Sequence, residues 1–93
     1  MIDRIYVGDK GTKLVFDSNV DLTDFVCKLE ILKPNGVVIV RDIDEVEVDK
    51  AIYYLKDGDV DVSGIYRMQL VISNDDGLWR SSVASVEVYN KFD

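Results

Sequence analysis

Apolar and polar residues alternate through much of this chain, interrupted by turn-forming residues every eight to twelve positions. A period of two puts successive side chains on opposite faces of an extended backbone, so the pattern demands strands with one buried face. Leu14 and Phe16 alternate with Lys13 and Asp17, and Cys27, Leu29 and Ile31 alternate with Lys28 and Glu30. Tyr66, Met68, Leu70 and Ile72 alternate with Arg67, Gln69 and Ser73, and Ala84, Val86 and Val88 with Ser85 and Glu87.

The interruptions carry turn chemistry. In Lys33-Pro34-Asn35-Gly36 the proline sets φ at the second turn position, and Gly36 accepts the positive φ that follows. A hairpin joining Phe25–Lys33 to Val37–Asp42 is expected there. Asn74-Asp75-Asp76-Gly77 repeats the logic between Ile65–Ser73 and Leu78–Val88, and Gly8-Asp9-Lys10-Gly11 separates the first two strands. One segment reads two ways. Val48, Ala51, Ile52 and Leu55 have helical spacing, and Asp44 with Glu47 resembles a capping box, giving a short helix near Glu45–Lys56. Ile52-Tyr53-Tyr54 is β-branched and aromatic, which favours a strand over Ala51–Leu55. The strand is the reading adopted. About seven short strands in a single domain, residues 1–93, predict an all-β, immunoglobulin-like antiparallel β-sandwich.

Composition then narrows the function classes. Eleven Lys and Arg against 18 Asp and Glu leave a net charge of −7, which opposes nucleic-acid backbones. No apolar run is long enough to span a bilayer, and Met1-Ile-Asp-Arg-Ile-Tyr lacks the pattern of a secretory signal. The single cysteine, Cys27, lies on an alternating apolar face and reads as a core residue in a domain made in the cytosol. Without histidine the chain has no Ser–His–Asp or Cys–His system. Asp57, Asp59 and Asp61 begin like a calcium loop, but Val62 and Met68 stand where its glycine and glutamate belong. A looser calcium site there, or at Asp42, Asp44 and Glu45, competes with a plain solvated acidic loop, and the loop is preferred. The expectation is a non-enzyme with no cofactor.

Within Asp61-Val-Ser-Gly-Ile-Tyr-Arg-Met68, Gly64 turns the chain into a strand and Tyr66 faces inward. Its hydroxyl is expected to bond the backbone upstream, as a tyrosine corner does. Met68 occupies the core volume that an antibody domain gives to a disulfide. Several strands carry more apolar residues than one buried face needs: Gly36-Val-Val-Ile-Val40, Phe25-Val-Cys27, Ile31-Leu32 and Ala51-Ile-Tyr-Tyr-Leu55. Such an excess predicts an association surface involving Val38, Val40, Tyr53 or Tyr54.

In order, Tyr6-Val-Gly-Asp-Lys-Gly-Thr12, Leu14-Val-Phe16, Val20-Asp-Leu22, Ile31-Leu-Lys-Pro-Asn-Gly36, Tyr53-Tyr-Leu55, Gly64-Ile-Tyr66 and a last strand after Gly77 resemble the N-terminal domain of phage baseplate upper proteins. The resemblance covers nearly the whole chain. It implies a non-catalytic structural role in a phage or prophage tail baseplate, after synthesis in the bacterial cytoplasm. It also implies other tail proteins as partners, with the chain a homo-oligomer or docked on a larger ring. In such proteins the sandwich leads a longer chain that carries fibres or receptor binding. A chain ending at Asp93 is therefore expected to be trimmed or a stand-alone relative, and the resemblance assigns it no receptor-binding role. The competing class is a generic immunoglobulin-like binding or spacer module of a bacterial surface or secreted protein.

Overall fold

The computed structural model describes residues 4–92. They form an all-β sandwich of nine strand segments: β1 (Ile5–Tyr6), β2 (Lys13–Asp17), β3 (Val26–Leu32), β4 (Val38–Asp42), β5 (Glu45–Glu47), β6 (Lys50–Tyr54), β7 (Gly64–Asn74), β8 (Gly77–Arg80) and β9 (Ala84–Tyr89). The larger sheet has the order β1-β9-β7-β3-β4, with β8 also on β7, and the smaller sheet has the order β2-β6-β5. All pairings are antiparallel except that of β1 with β9.

The inward faces follow the alternation. Leu29 and Ile31 of β3, Tyr66 and Met68 of β7, Val88 of β9 and Tyr53 of β6 join Leu55 and Val60 in the main core. Leu22, Ala51 and Leu70 form a smaller cluster, against which Cys27 packs. Met68 stands opposite Ile31 and is buried. The Tyr66 hydroxyl donates to the Val62 carbonyl at 2.6 Å, four residues upstream, and ties the β6–β7 connection to the start of β7.

At Lys33-Pro34-Asn35-Gly36 the Gly36 amide donates to the Lys33 carbonyl and Gly36 has φ 87°, closing the β3–β4 hairpin. Gly64 has φ 132°, and a Cβ there would lie 2.8 Å from the Pro34 ring. The glycine thus lets the hairpin tip pack directly on the start of β7.

The strand adopted over Ala51–Leu55 forms as β6, and one other expectation changes. No helix forms among the described residues over Glu45–Lys56; β5 and β6 make a hairpin, in which Ala51, Ile52 and Tyr53 are all buried and Leu55 follows them into the core. The helical spacing of Val48, Ala51, Ile52 and Leu55 was coincidental, because pairing of β6 with both β2 and β5 satisfies its backbone. The expected strand Leu78–Val88 is two strands. Val71 pairs with Arg80 and Met68 with Ala84, so Gln69 and Leu70 face the three residues Ser81–Val83, a β-bulge. There the Ser81 hydroxyl accepts the Leu70 amide and replaces a backbone acceptor.

The β5–β6 hairpin contains a local conflict. Val48 lies at φ 53°, a region that costs a β-branched residue about 1–2 kcal/mol. Its carbonyl, which accepts the Leu22 amide at 2.6 Å, helps hold it there. Val48→Asn, which tolerates this conformation, is expected to raise the unfolding free energy by about 1 kcal/mol in urea melts; an unchanged midpoint would refute the strain.

Candidate interaction surface

The outer face of the larger sheet follows from its registers. Val38 pairs with Leu32 and Leu32 with Arg67; Val40 pairs with Glu30 and Glu30 with Gln69; Asp42 pairs with Lys28 and Lys28 with Val71. Since Leu29, Ile31, Tyr66 and Met68 point inward, each of these residues points outward. Val38 is 56% exposed and Val40 51%, and Val26, Leu32, Ile65, Leu78 and Val83 are exposed with them. The bulge lifts Val83 beside β7, and a shallow groove of about 300 Å³ runs between Val83 and Val38, floored by Leu32, Arg67 and Gln69 and flanked by Glu30.

The outward charges of β3, β4, β7, β8 and β9 cancel. Lys28, Arg67 and Arg80 oppose Glu30, Asp42 and Glu87, so 3 − 3 = 0 while the whole chain carries −7. Arg4, 4.5 Å over the Tyr89 ring, adds one cation at the β1 border. Arg80 Nε donates to Glu30 at 2.9 Å, and Lys28 lies 3.4 Å from Asp42. Exposed pairs of this kind add little stability, but they leave few unpaired charges to oppose burial of the valines.

A buried polar cluster holds β4 in place behind this face. The Asp59 carboxylate, 0% exposed, accepts Arg41 Nε of β4 at 2.9 Å, the Tyr53 hydroxyl of β6, and the Lys56 amide at 2.8 Å. Burial, with the neighbouring carboxylate, raises the Tyr53 hydroxyl pKa well above its usual value, keeping it a donor. Beside it, Lys33 Nζ donates to the Gly58 carbonyl at 2.9 Å and to Asp61 at 2.8 Å.

These positions revise the set expected from sequence. Val38 and Val40 lie side by side on the outer face. Tyr53 does not belong with them: it is 0% exposed, packed in the main core with its hydroxyl on Asp59. Tyr54 points the other way, onto the outer face of the smaller sheet opposite Lys13, far from the valines. Gly36 and Gly64 serve the turns, and Tyr66 and Met68 the core. Ile65 and Val83 were missed. Ile65 follows from Tyr66 pointing inward, whereas Val83 depends on the bulge.

Four of the six acidic residues singled out as a loose calcium site, Asp42, Asp44, Asp59 and Asp61, are engaged by cations of the chain, while Asp57 and Glu45 are exposed. Asp59 and Asp61 bind cations of the chain itself, and Asp44 accepts Lys56 Nζ at 2.6 Å and the Tyr54 amide at 2.8 Å. Among the described residues no three acidic or cysteine side chains are grouped to hold a metal ion. A second cavity, about 340 Å³, opens where Phe25 and Trp79 meet edge to face beside Leu70 and Ile72. No family model matches this chain, and no curated protein matches its sequence.

Asp59→Asn removes the buried charge but not the volume, and is expected to lower stability by about 3 kcal/mol in chemical denaturation. A loss below about 1 kcal/mol would show that Asp59 does not organise the loop. Asp44 is held below the ordinary 3.8 first by its bond from Lys56, Asp61 first by Lys33, and Asp21 first by the Thr23 hydroxyl. The unfolded chain takes up these protons before the folded one does. Their contribution is therefore complete above 3.8 and declines as pH falls through the lower folded values. Urea midpoints should fall between pH ~5 and ~2, and Lys56→Met should flatten that fall.

Proposed function

We propose that this protein is a non-catalytic assembly module of a phage or prophage tail baseplate, docking on neighbouring tail proteins through the outer face of its larger sheet. The observation that carries the docking part is the neutral, valine-rich face on a chain of net charge −7. Contiguous exposed apolar surface of this kind marks association sites, and its internally paired charges suit burial against protein. The tail assignment rests on the serial resemblance from Tyr6 to Gly77. The division of strands into β2-β6-β5 and β9-β7-β3-β4 supports reading the sandwich as immunoglobulin-like. The location proposed is the virion, after synthesis in the bacterial cytoplasm, and the role invokes no cofactor, nucleic acid or membrane.

The test is incorporation into particles. In cells producing the phage, the tagged chain should co-purify with tails. Val38→Asp should reduce that recovery about tenfold, while Val15→Asp, on the smaller sheet, should leave it intact. A chain missing from purified tails sinks the tail assignment, and equal recovery of the two variants sinks the choice of face.

A further inference from the structure

The backbone phase of β4 gives it a second property. The Lys33 amide donates to the Val37 carbonyl at 2.8 Å, and the Ile43 amide to the Cys27 carbonyl at 3.3 Å. Antiparallel bonding alternates along a strand, so Ile39 and Arg41 bond β3, while Val38, Val40 and Asp42 aim their N–H and C=O groups away from the sheet. The free edge of β4 is thus led by two exposed valines.

The other free edges carry protection. On β2 the Ser18 amide donates to the Asp49 carbonyl, so the outward backbone groups belong to Lys13, Val15 and Asp17, two of them charged. β5 reads Glu-Val-Glu, β1 has two residues, and β8 has four and ends at the bulge. Only β4, among the described edges, presents Val-Ile-Val without a charge at its start.

We infer that β4 pairs antiparallel with β4 of a second copy of this chain, joining two larger sheets edge to edge. Self-complementarity selects this occupant, because antiparallel pairing about Ile39 sets the two valines of each copy against those of the other, and charge limits where the copies can meet. Two copies at −7 repel over most of their surfaces, so they can meet only where charge is balanced. At β4 it is balanced, because Arg41 is paired with Asp59 and Asp42 with Lys28. The favoured register sets Val38 opposite the partner's Val40, and Val40 opposite the partner's Val38. Shifting to Val40 opposite the partner's Val40 would set Asp42 against valine. This inference deepens the docking reading by naming the partner at one border of the same face, and rests on that reading only in treating Val38 and Val40 as association residues.

Val40→Pro tests it, because proline removes only an N–H directed away from β3. Light scattering should show the native chain passing from monomer to dimer with concentration. Val40→Pro, still folded by circular dichroism, should raise the dissociation constant about tenfold or more. Val15→Pro, the matched change on β2, should leave it unchanged. A native chain that stays monomeric, or a dimer that survives Val40→Pro, overturns the pairing. Should Val40→Pro fail to fold, Val40→Lys takes its place with the same two readings. A monomeric native chain whose particle incorporation still falls with Val38→Asp overturns the pairing and leaves the docking reading standing; a dimer lost in Val40→Pro with incorporation unaffected by Val38→Asp does the reverse.

Discussion

The Asp59 carboxylate is the point on which the two sheets and their connection converge. It lies in a chain-reversing loop, yet its oxygens are filled by Arg41 of the larger sheet, Tyr53 of the smaller one and the Lys56 amide. A buried carboxylate without donors would cost several kcal/mol, so the loop has one low-energy shape, the one that brings these groups together. Lys33 and the Tyr66 hydroxyl extend the constraint to Gly58, Asp61 and Val62, leaving little of the connection from Lys56 to Ser63 unattached. The contact between Gly64 and Pro34 then sets the hairpin tip against the same corner.

That corner bears on the surface opposite it. β4 is an edge strand with a single neighbour, the arrangement most prone to fray. Arg41 reaching inward to Asp59 pins its middle, and alternation then turns Val40 and Val38 outward. The polar interior thereby presents the apolar exterior in a fixed geometry. A rigid patch spends less entropy on association than a mobile one, which suits a part in an assembly.

Most of the sandwich was legible because its cause is local. Strand alternation and the Pro-Asn-Gly and Asp-Asp-Gly turns act within a few residues, and each placed a strand or hairpin close to where it lies. The departures came where distant groups decided. Val48 adopts a conformation its own side chain resists because Leu22 and the strands on either side require it. The bulge at Ser81–Val83 exists because the Ser81 hydroxyl bonds a β7 amide, a pairing between residues eleven apart. Asp59 looked like part of an acidic loop because its partners lie 18 and 6 positions away.

The proposed association surface divides along the same line. By itself the sequence determined that the chain is all-β, that Val38 and Val40 exceed the needs of one core, and that the charge is strongly acidic, since these depend only on residue type and spacing. Only the tertiary structure decided that Tyr53 belongs inside, that Tyr54 faces the opposite way, that Ile65 and Val83 join the valines, and that the charges around them cancel. The reason is that alternation says two faces differ but not which neighbour each meets. That depends on the register between strands far apart in the chain, and register is settled when the whole core packs.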